Sequence, residues 1–496
     1  MNNKKYIILF FLCLAACKVG PDYVRPAAEM PATFKEAKDW KQAQPKDDIV
    51  RNKWWEIFGD SELNKLEEQV DISNQNVKAA EAQFRQARAL IAEARAGFFP
   101  TLSGTGGATR GTGGINTYLA SLGATWEPDV WGRIRRTMEA NEANAQANFA
   151  DLQSAKLSAQ ALLATDYLSL RVADEQKRLL DQTVANYTRS LTLTKNLYAA
   201  GVDQLSDVMQ AQVLLEQTQT QDIDIGIQRA QFEHAVAILI GKSPADFSIA
   251  AVSTVPPVPV IPLSVPSDLL ERRPDVAASE RLVAAANAQI GVTVAAFFPN
   301  ITLSATGGFE STGLAQWFTI PARIWSLGPS VSETLFDAGL RSAQTEAAIA
   351  AYDQTVATYR QTVLNAFQGV EDNLAGLRIL QQEAEAQDKA VKDAHTSTTI
   401  ALNQYKAGTV SYLNVITAQT TEFNNEITAI NIEKAHLSDA VALIAALGGG
   451  WDAKELDKPI VTTPETTPLS LLPPHISTPQ ASTPIPNSTP IPADGK

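Results

Sequence analysis

Apolar residues recur in alternating steps of three and four at Val77, Ala80, Phe84, Ala87, Ile91, Ala94 and Phe98. That spacing marks one face of an α-helix with a heptad seam. A second set, Val276, Ser279, Val283, Ala286, Ile290, Thr293 and Phe297, keeps the same register with smaller and more polar members. Seams this rich in alanine permit close helix approach and thin walls, not a thick core. After each seam the period changes to two. Ile301, Leu303, Ala305 and Phe309 alternate with Thr302, Ser304 and Thr306, while Tyr118, Ala120, Leu122, Ala124 and Trp126 stand against Thr117, Leu119, Ser121 and Thr125. Each run predicts a strand with one face suited to lipid and the other to water. Turn-forming residues near Thr109 to Gly114 and near Ser311 to Gln316 fold the strands into one hairpin per half.

Beyond the hairpins the sequence predicts very long helices, from Arg133 to about Ala199 and Asp203 to about Ile240, then from Leu340 to about Lys406 and Ser411 to about Leu447. At 1.5 Å per residue the longer ones reach roughly 100 Å, and with no interior Pro they fit a coiled-coil cylinder. The chain is written twice. Phe98-Phe99-Pro100 recurs as Phe297-Phe298-Pro299, and Tyr198-Ala199-Ala200-Gly201 recurs as Tyr405-Lys406-Ala407-Gly408. Such self-similarity makes one duplicated unit the basis of the fold. The expected organisation is a signal peptide over 1–16, an extended segment over 17–60, and a first repeat over 61–242 with its hairpin at about 100–128. A Pro-rich crossover follows over 243–274, then a second repeat over 275–450 with its hairpin at about 299–336, and a disordered Pro/Thr/Ser-rich tail over 451–496. The fold class is mainly α with a small transmembrane β part.

Composition narrows the function. The formal net charge of −13 over 496 residues, without a basic run of useful length, argues against nucleic acid as a partner. Both cysteines fall in the first 17 residues, which leaves the body without a disulfide framework or a thiolate for metal or nucleophilic chemistry. Lys4 and Lys5, the apolar run Tyr6 to Leu14 and the small residues after it have the layout of a secretory signal. Leu14-Ala15-Ala16-Cys17 looks like a bacterial lipobox, so Cys17 is expected to begin the mature chain and to carry acyl groups. No later stretch approaches the roughly 20 apolar residues of a membrane helix, so any span is made by strands. Four strands cannot close a barrel. Two copies would supply eight and three would supply twelve, and the wider option leaves a useful lumen.

The chain resembles the outer-membrane efflux protein family of TolC-like channels, and within it the lipidated NodT-type branch. The residues that carry the resemblance are Cys17-Lys18-Val19-Gly20-Pro21-Asp22-Tyr23, Trp54-Trp55 with Phe58-Gly59-Asp60, and Trp126-Glu127-Pro128-Asp129-Val130-Trp131-Gly132-Arg133. Arg272-Arg273-Pro274-Asp275-Val276, both Phe-Phe-Pro copies and both Tyr-x-Ala-Gly turns complete it. It implies a homotrimer with a twelve-stranded barrel and a periplasmic helical tunnel, lipid-anchored in the outer membrane. Lys18 after the cysteine favours outer-membrane sorting. The implied partners are a periplasmic adaptor and an inner-membrane pump of the resistance-nodulation-division type. The turns would form the adaptor-docking tips, with Gly201, Val202, Leu205, Val208, Ala211 and Gln212 in the first copy. Gly408, Thr409, Leu413, Val415, Ala418 and Gln419 would serve in the second.

Near these tips Asp203 and Asp207 are candidates for carboxylate rings around a periplasmic aperture. Thr417 stands where relatives often place an aspartate. A type I secretion exit, or a coiled-coil periplasmic lipoprotein that forms no channel, are the alternatives to a small-molecule duct. No catalytic residue, metal ligand set or cofactor is expected. Gly241-Lys242-Ser243 lacks the first Gly of a phosphate loop, with Val236 in its place. Glu433-x-x-His436 reads as ordinary helix surface, and only four Met and four His disfavour metal export.

Overall fold

The computed structural model describes residues 18–28, 31, 33–37, 53–261 and 272–457. The signal peptide, Cys17, the middle of the crossover and the tail beyond 457 lie outside the described residues. After a short 3-10 turn, Trp54–Phe58, come helices α1 (Ser61–Ser73) and α2 (Gln75–Ala96), then strands β1 (Thr101–Arg110) and β2 (Asn116–Trp126). Helices α3 (Arg133–Ala199) and α4 (Leu205–Leu239) complete the first half. The second half repeats this as α5 (Pro274–Ala295), β3 (Asn300–Ser311), β4 (Arg323–Ser332), α6 (Leu340–Lys406) and α7 (Tyr412–Ala446). The equivalent helices have identical lengths: 22 residues for α2 and α5, 67 for α3 and α6, and 35 for α4 and α7.

The helices pack side by side. The upper part of α3 packs between α2 and α5, and α5 packs on α6; lower down, α4 lies on α3, and α7 lies between α3 and α6. On α2 the seam from Val77 to Ala94 is the buried or half-buried stripe, and nearly everything else on the helix is exposed. The seam of α5 is covered on several sides, with Ala277, Ala278, Ala284 and Ala288 buried besides Val276 and Val283. Phe98 and Phe297 lie beyond the ends of their helices, where Phe98 is half-buried and Phe297 exposed.

The core sits where α3 is buried on all sides, around Leu163, Tyr167 and Leu170. Trp54, Trp55 and Phe58 pack there with α1 and the ends of α4 and α7. Asp60 caps α1 by accepting from the Glu62 and Leu63 amides at 2.8 and 3.1 Å, and it also accepts from the Tyr167 hydroxyl at 2.7 Å. The start of the crossover is tied to the same core. Arg171 donates to the Ala250 carbonyl at 2.9 Å, and Asp174 accepts from Arg229 at 2.7 Å and from the Val252 amide at 3.0 Å.

The four strands form one antiparallel sheet in the order β1-β2-β3-β4. Residues opposite one another in the ladder point to the same face, so the register decides whether the apolar positions coincide. They do. Leu102 pairs with Ala124, Ala124 with Ala305 and Ala305 with Leu327; Ala120 pairs with Phe309, and Ile301 with Val331. The opposite face collects Thr101, Thr125 and Ser304 on one line, and Thr306 beside Ser326 on another. Strands of 10 to 12 residues match the length that crosses a bilayer at a barrel tilt, about 9–11 residues.

Candidate functional site: helical tips and the groove around Arg136

The ends of the helical layer are built alike. At the α3–α4 turn Gly201 takes φ +74, and at the α6–α7 turn Gly408 takes φ +70, a region open to glycine without penalty. The amides that follow fold back: Val202 donates to the Leu197 carbonyl at 2.9 Å and Thr409 to the Gln404 carbonyl at 3.0 Å. These bonds satisfy helix-end carbonyls and reverse the chain within a few residues.

The two turns are joined by tyrosines. Tyr187, Leu191, Val208, Ala211, Leu215, Tyr405, Tyr412 and Val415 form a separate small core, with the Tyr405 and Tyr412 rings 5.2 Å apart. The Tyr405 hydroxyl donates to the Asp203 carboxylate, which ties the second hairpin to the first. Burial, aided by that bond to a carboxylate, holds the Tyr405 hydroxyl well above the usual phenol range. Burial likewise pushes Tyr412 up to about 12, with a smaller contribution from the charge of Asp207. Gln419 donates from Nε2 to the Ser190 hydroxyl at 3.0 Å, and its carbonyl accepts from the Tyr187 hydroxyl at 3.3 Å.

At the sheet end of the molecule, the segment from Lys18 to Tyr23 is held along α3 and α5. The side chain of Arg136 on α3 is fully buried. It donates to the Val19 and Gly20 carbonyls at 3.0 and 2.9 Å and to the Asp22 and Glu139 carboxylates at 3.3 and 3.0 Å. The Val19 amide donates to the Trp131 carbonyl at 3.2 Å, and Asn287 donates to the Pro21 carbonyl at 3.0 Å. Gly291 makes room for this arrangement, because a Cβ there would lie 2.6 Å from Nε of Arg136. Lys18 is thereby placed against Gly132, six residues after the end of β2.

A family model described as outer membrane efflux protein matches residues 66–242 and 265–449, most of the chain and both of its repeats. The chain belongs to the outer membrane efflux protein family. It is similar to the solvent efflux pump outer membrane protein SrpC of Pseudomonas putida, with 31% identity over 473 residues that cover 92% of this chain and 100% of SrpC. The cation efflux system protein CusC of Escherichia coli is 27% identical over 449 residues, covering 89% of this chain and 97% of CusC. Among solved structures, the outer-membrane channel OprN superposes with a TM-score of 0.82 at 30% identity, covering 88% of this chain and 100% of OprN. Its relatives are channels for transport, and this efflux protein is an outer-membrane efflux channel with the duplicated, mainly helical fold of that family.

The tip residues expected from the sequence of this efflux protein divide into two groups. Gly201, Val202, Leu205, Gly408, Thr409 and Leu413 are exposed, as is Thr417, while Gln212 and Ala418 are half-buried. Val208, Ala211, Val415 and Gln419 are a correction to the expected docking surface, since all four are buried in the tip itself. Val208, Ala211 and Val415 pack in the small core of the tip, and Gln419 bonds Ser190 of the first hairpin. Asp203 and Asp207 are both half-buried against the tyrosine core. Exposed neighbours absent from the expected set, Met209 and Val213, continue the apolar surface of α4; their helical spacing from Leu205 and Val202 was the signal for them.

One further expectation changes. Glu433 and His436 are half-buried, not open helix surface: burial raises the Glu433 carboxyl, with Glu175 and Asp388 adding to it, and burial lowers His436. Gly241-Lys242-Ser243 is the closing turn of α4, where the Lys242 amide donates to the Ala237 carbonyl at 2.9 Å. Arg136 escaped sequence reasoning because it stands in no chemical motif, and Tyr405 was legible only as part of a turn. The carbonyls that Arg136 holds and the carboxylate that Tyr405 reaches lie more than 100 residues away in the chain.

Proposed function

We propose that three copies of this chain close side by side into one exit duct, a twelve-stranded barrel above a helical tunnel, and conduct small molecules passively out of the cell. The observation that carries this reading is the single sheet with one apolar face and two open edges, β1 and β4. Open edges in lipid leave backbone groups without partners, each at a cost of several kcal/mol. Pairing β4 of one copy with β1 of the next removes every edge, and twelve strands leave a lumen that eight would fill with side chains. The helices are open on the same two flanks, α2 beside β1 and α6 beside β4.

Cys17 is the lipidation site in this proposal. The groove around Arg136 supports it, because it fixes Lys18 beside the periplasmic rim of the sheet, where acyl chains on the preceding residue enter the inner leaflet of the outer membrane. The exposed residues Gly201, Val202, Leu205, Gly408, Thr409 and Leu413 form the docking face for a periplasmic adaptor, and a pump in the inner membrane supplies the energy. The chain itself catalyses no reaction. Asp203 serves the aperture first as a strut on Tyr405, which joins the two hairpins, and Asp207 remains a candidate for a carboxylate ring.

Planar-bilayer recording on detergent-extracted protein tests the proposal. Small, stable currents from a species that cross-links as a trimer are expected. A monomer that needs no detergent and carries no current would leave only a coiled-coil lipoprotein.

A further inference from the structure

We propose that the linker after the second hairpin, residues 333–339, seats Leu335 and Phe336 on the Phe98-Phe99-Pro100 turn of the neighbouring copy. This inference rests on the side-by-side closure proposed above and names the contact that fastens it. The first half of the chain already shows such a contact within one protomer. The linker after β2 packs on the turn that leads into β3: Trp131 stacks on Phe298 with ring centroids 4.8 Å apart and donates from Nε1 to the Pro299 carbonyl at 2.8 Å. By analogy, the linker after β4 would meet the Phe-Phe-Pro turn preceding the next strand in the sheet. For β4 the next strand is β1 of another copy, and its turn is Phe98-Phe99-Pro100.

Both surfaces of the missing contact are bare in the protomer. Leu335 is 90% exposed, Phe336 is 86% exposed and Phe99 is 63% exposed, whereas Phe298, the counterpart of Phe99, falls to 37% under Trp131. The second linker is nonetheless held in a fixed shape. Asp337 accepts from the Gly339 amide at 3.0 Å and from Nε of Arg341 at 2.6 Å, and Arg341 also donates to the Thr334 carbonyl at 2.6 Å. Asp129 does the same in the first linker, accepting from the Ile134 amide at 2.9 Å and from Nε of Arg135 at 3.0 Å. Ala338 takes φ +53, a left-handed conformation disfavoured for any residue with a Cβ. Two large apolar side chains presented to water on a fixed and strained turn have a partner in the assembly. The linkers are not identical residue by residue: the second is one residue longer between strand end and capping glycine, and its aromatic lies three residues before Gly339 while Trp131 lies one before Gly132. The bulky group is supplied from a neighbouring position in the same turn.

The absence of cysteine after Cys17 makes the test direct. Full-length protein carrying Phe99→Cys with Phe336→Cys, and separately Pro100→Cys with Leu335→Cys, is treated in detergent with a short bismaleimide, which tolerates wider separations than a disulfide does. Each single variant is the background, and an amine-reactive cross-linker is applied in parallel to report assembly. The expected result is a dimer and trimer ladder with at least one double variant, at several times the yield of either single variant. A trimer seen with the amine reagent but no ladder from either cysteine pair overturns this contact, leaves the trimer standing and assigns the bare side chains to lipid. No oligomer with either reagent overturns the trimer and this contact with it.

Discussion

Replacing Tyr405 by Phe removes the hydroxyl from one of the bonds that join the two helical hairpins and leaves the ring packing with Tyr412 in place. A hydrogen bond to a charged group contributes about 1.5–3 kcal/mol. Water recovers part of this because Asp203 is half-buried, so about 1 kcal/mol per copy is lost, below that range and close to what mutational series give for an ordinary hydrogen bond. If the three tips of the proposed trimer open together, the losses add to about 3 kcal/mol and the open population rises on the order of a hundredfold. Single-channel recording reads this as more frequent or larger openings at the same voltage. Asp203→Ala should match Tyr405→Phe, and the double variant should add little to either, because both remove the same bond. Asp203→Asn keeps an acceptor and should fall between. Cation preference separates this strut from a carboxylate ring: a ring loses selectivity in Asp203→Ala but keeps it in Tyr405→Phe. Unchanged opening in Tyr405→Phe, with the trimer intact, would refute the reasoning.

Three other outcomes follow from the same geometry. Arg136→Ala strips the buried guanidinium from the Lys18 to Asp22 segment, costing about 3 kcal/mol; limited proteolysis should then release the first residues of the mature chain, and unchanged resistance would mean the groove is not what holds them. Leu327→Arg on the apolar face costs about 2–4 kcal/mol if it meets lipid near mid-membrane and should lower the yield of assembled protein, whereas Thr306→Arg on the polar face should assemble and reduce conductance; the reverse order would mean the sheet faces the other way. Burial raises Asp166 to about 6 from 3.8, with Lys434 offsetting only part of the shift. The folded state therefore binds this proton more tightly than the unfolded state, and the contribution is present below about pH 4 and lost as pH rises through about 6. Asp166→Asn should stabilise the protein near neutral pH by on the order of 1 kcal/mol after allowance for solvent screening, with the gain vanishing near pH 4; a gain independent of pH in thermal unfolding would contradict the assignment.

The fold was legible in the sequence wherever one physical rule acted alone. Helix ends at Ala199 and Lys406 could be placed because Gly201 and Gly408 follow them, and β2 and β3 could be placed because Ser and Thr alternate with apolar residues, while β1 and β4 were legible only as the other arms of their hairpins. The apolar faces agreed across the sheet because a one-residue slip would have reversed them. The candidate site was legible only in part. Helical spacing identified Val208, Ala211 and Val415 as apolar at the tips but could not say which side of a two-hairpin tip they face, and they face inward. Tyr405 was visible only as part of a turn motif. That its hydroxyl reaches a carboxylate 202 residues earlier depends on how two repeats stack, and no local pattern carries that information.

The duplication explains where the open surfaces lie. Two similar units in one chain would be buried alike if each had a neighbour on both sides. The first stretch of α3, from 133 to 150, has α2 on one flank and α5 on the other and is buried or half-buried at nearly every residue. The equivalent first stretch of α6, from 340 to 357, has α5 on one flank and is exposed over most of its length. In α2 only the seam is covered, while its equivalent α5 is enclosed. The missing neighbour of α6 therefore has the character of α2, and the missing neighbour of α2 has the character of α6. One chain carries both halves of that contact but cannot bring them together, since they sit on opposite flanks of the same layer. Head-to-tail repetition satisfies both at once, and it joins β4 to β1 in the same movement. The unequal covering of two equivalent repeats is what the proposed ring of copies would make equal, provided the rotation between copies closes.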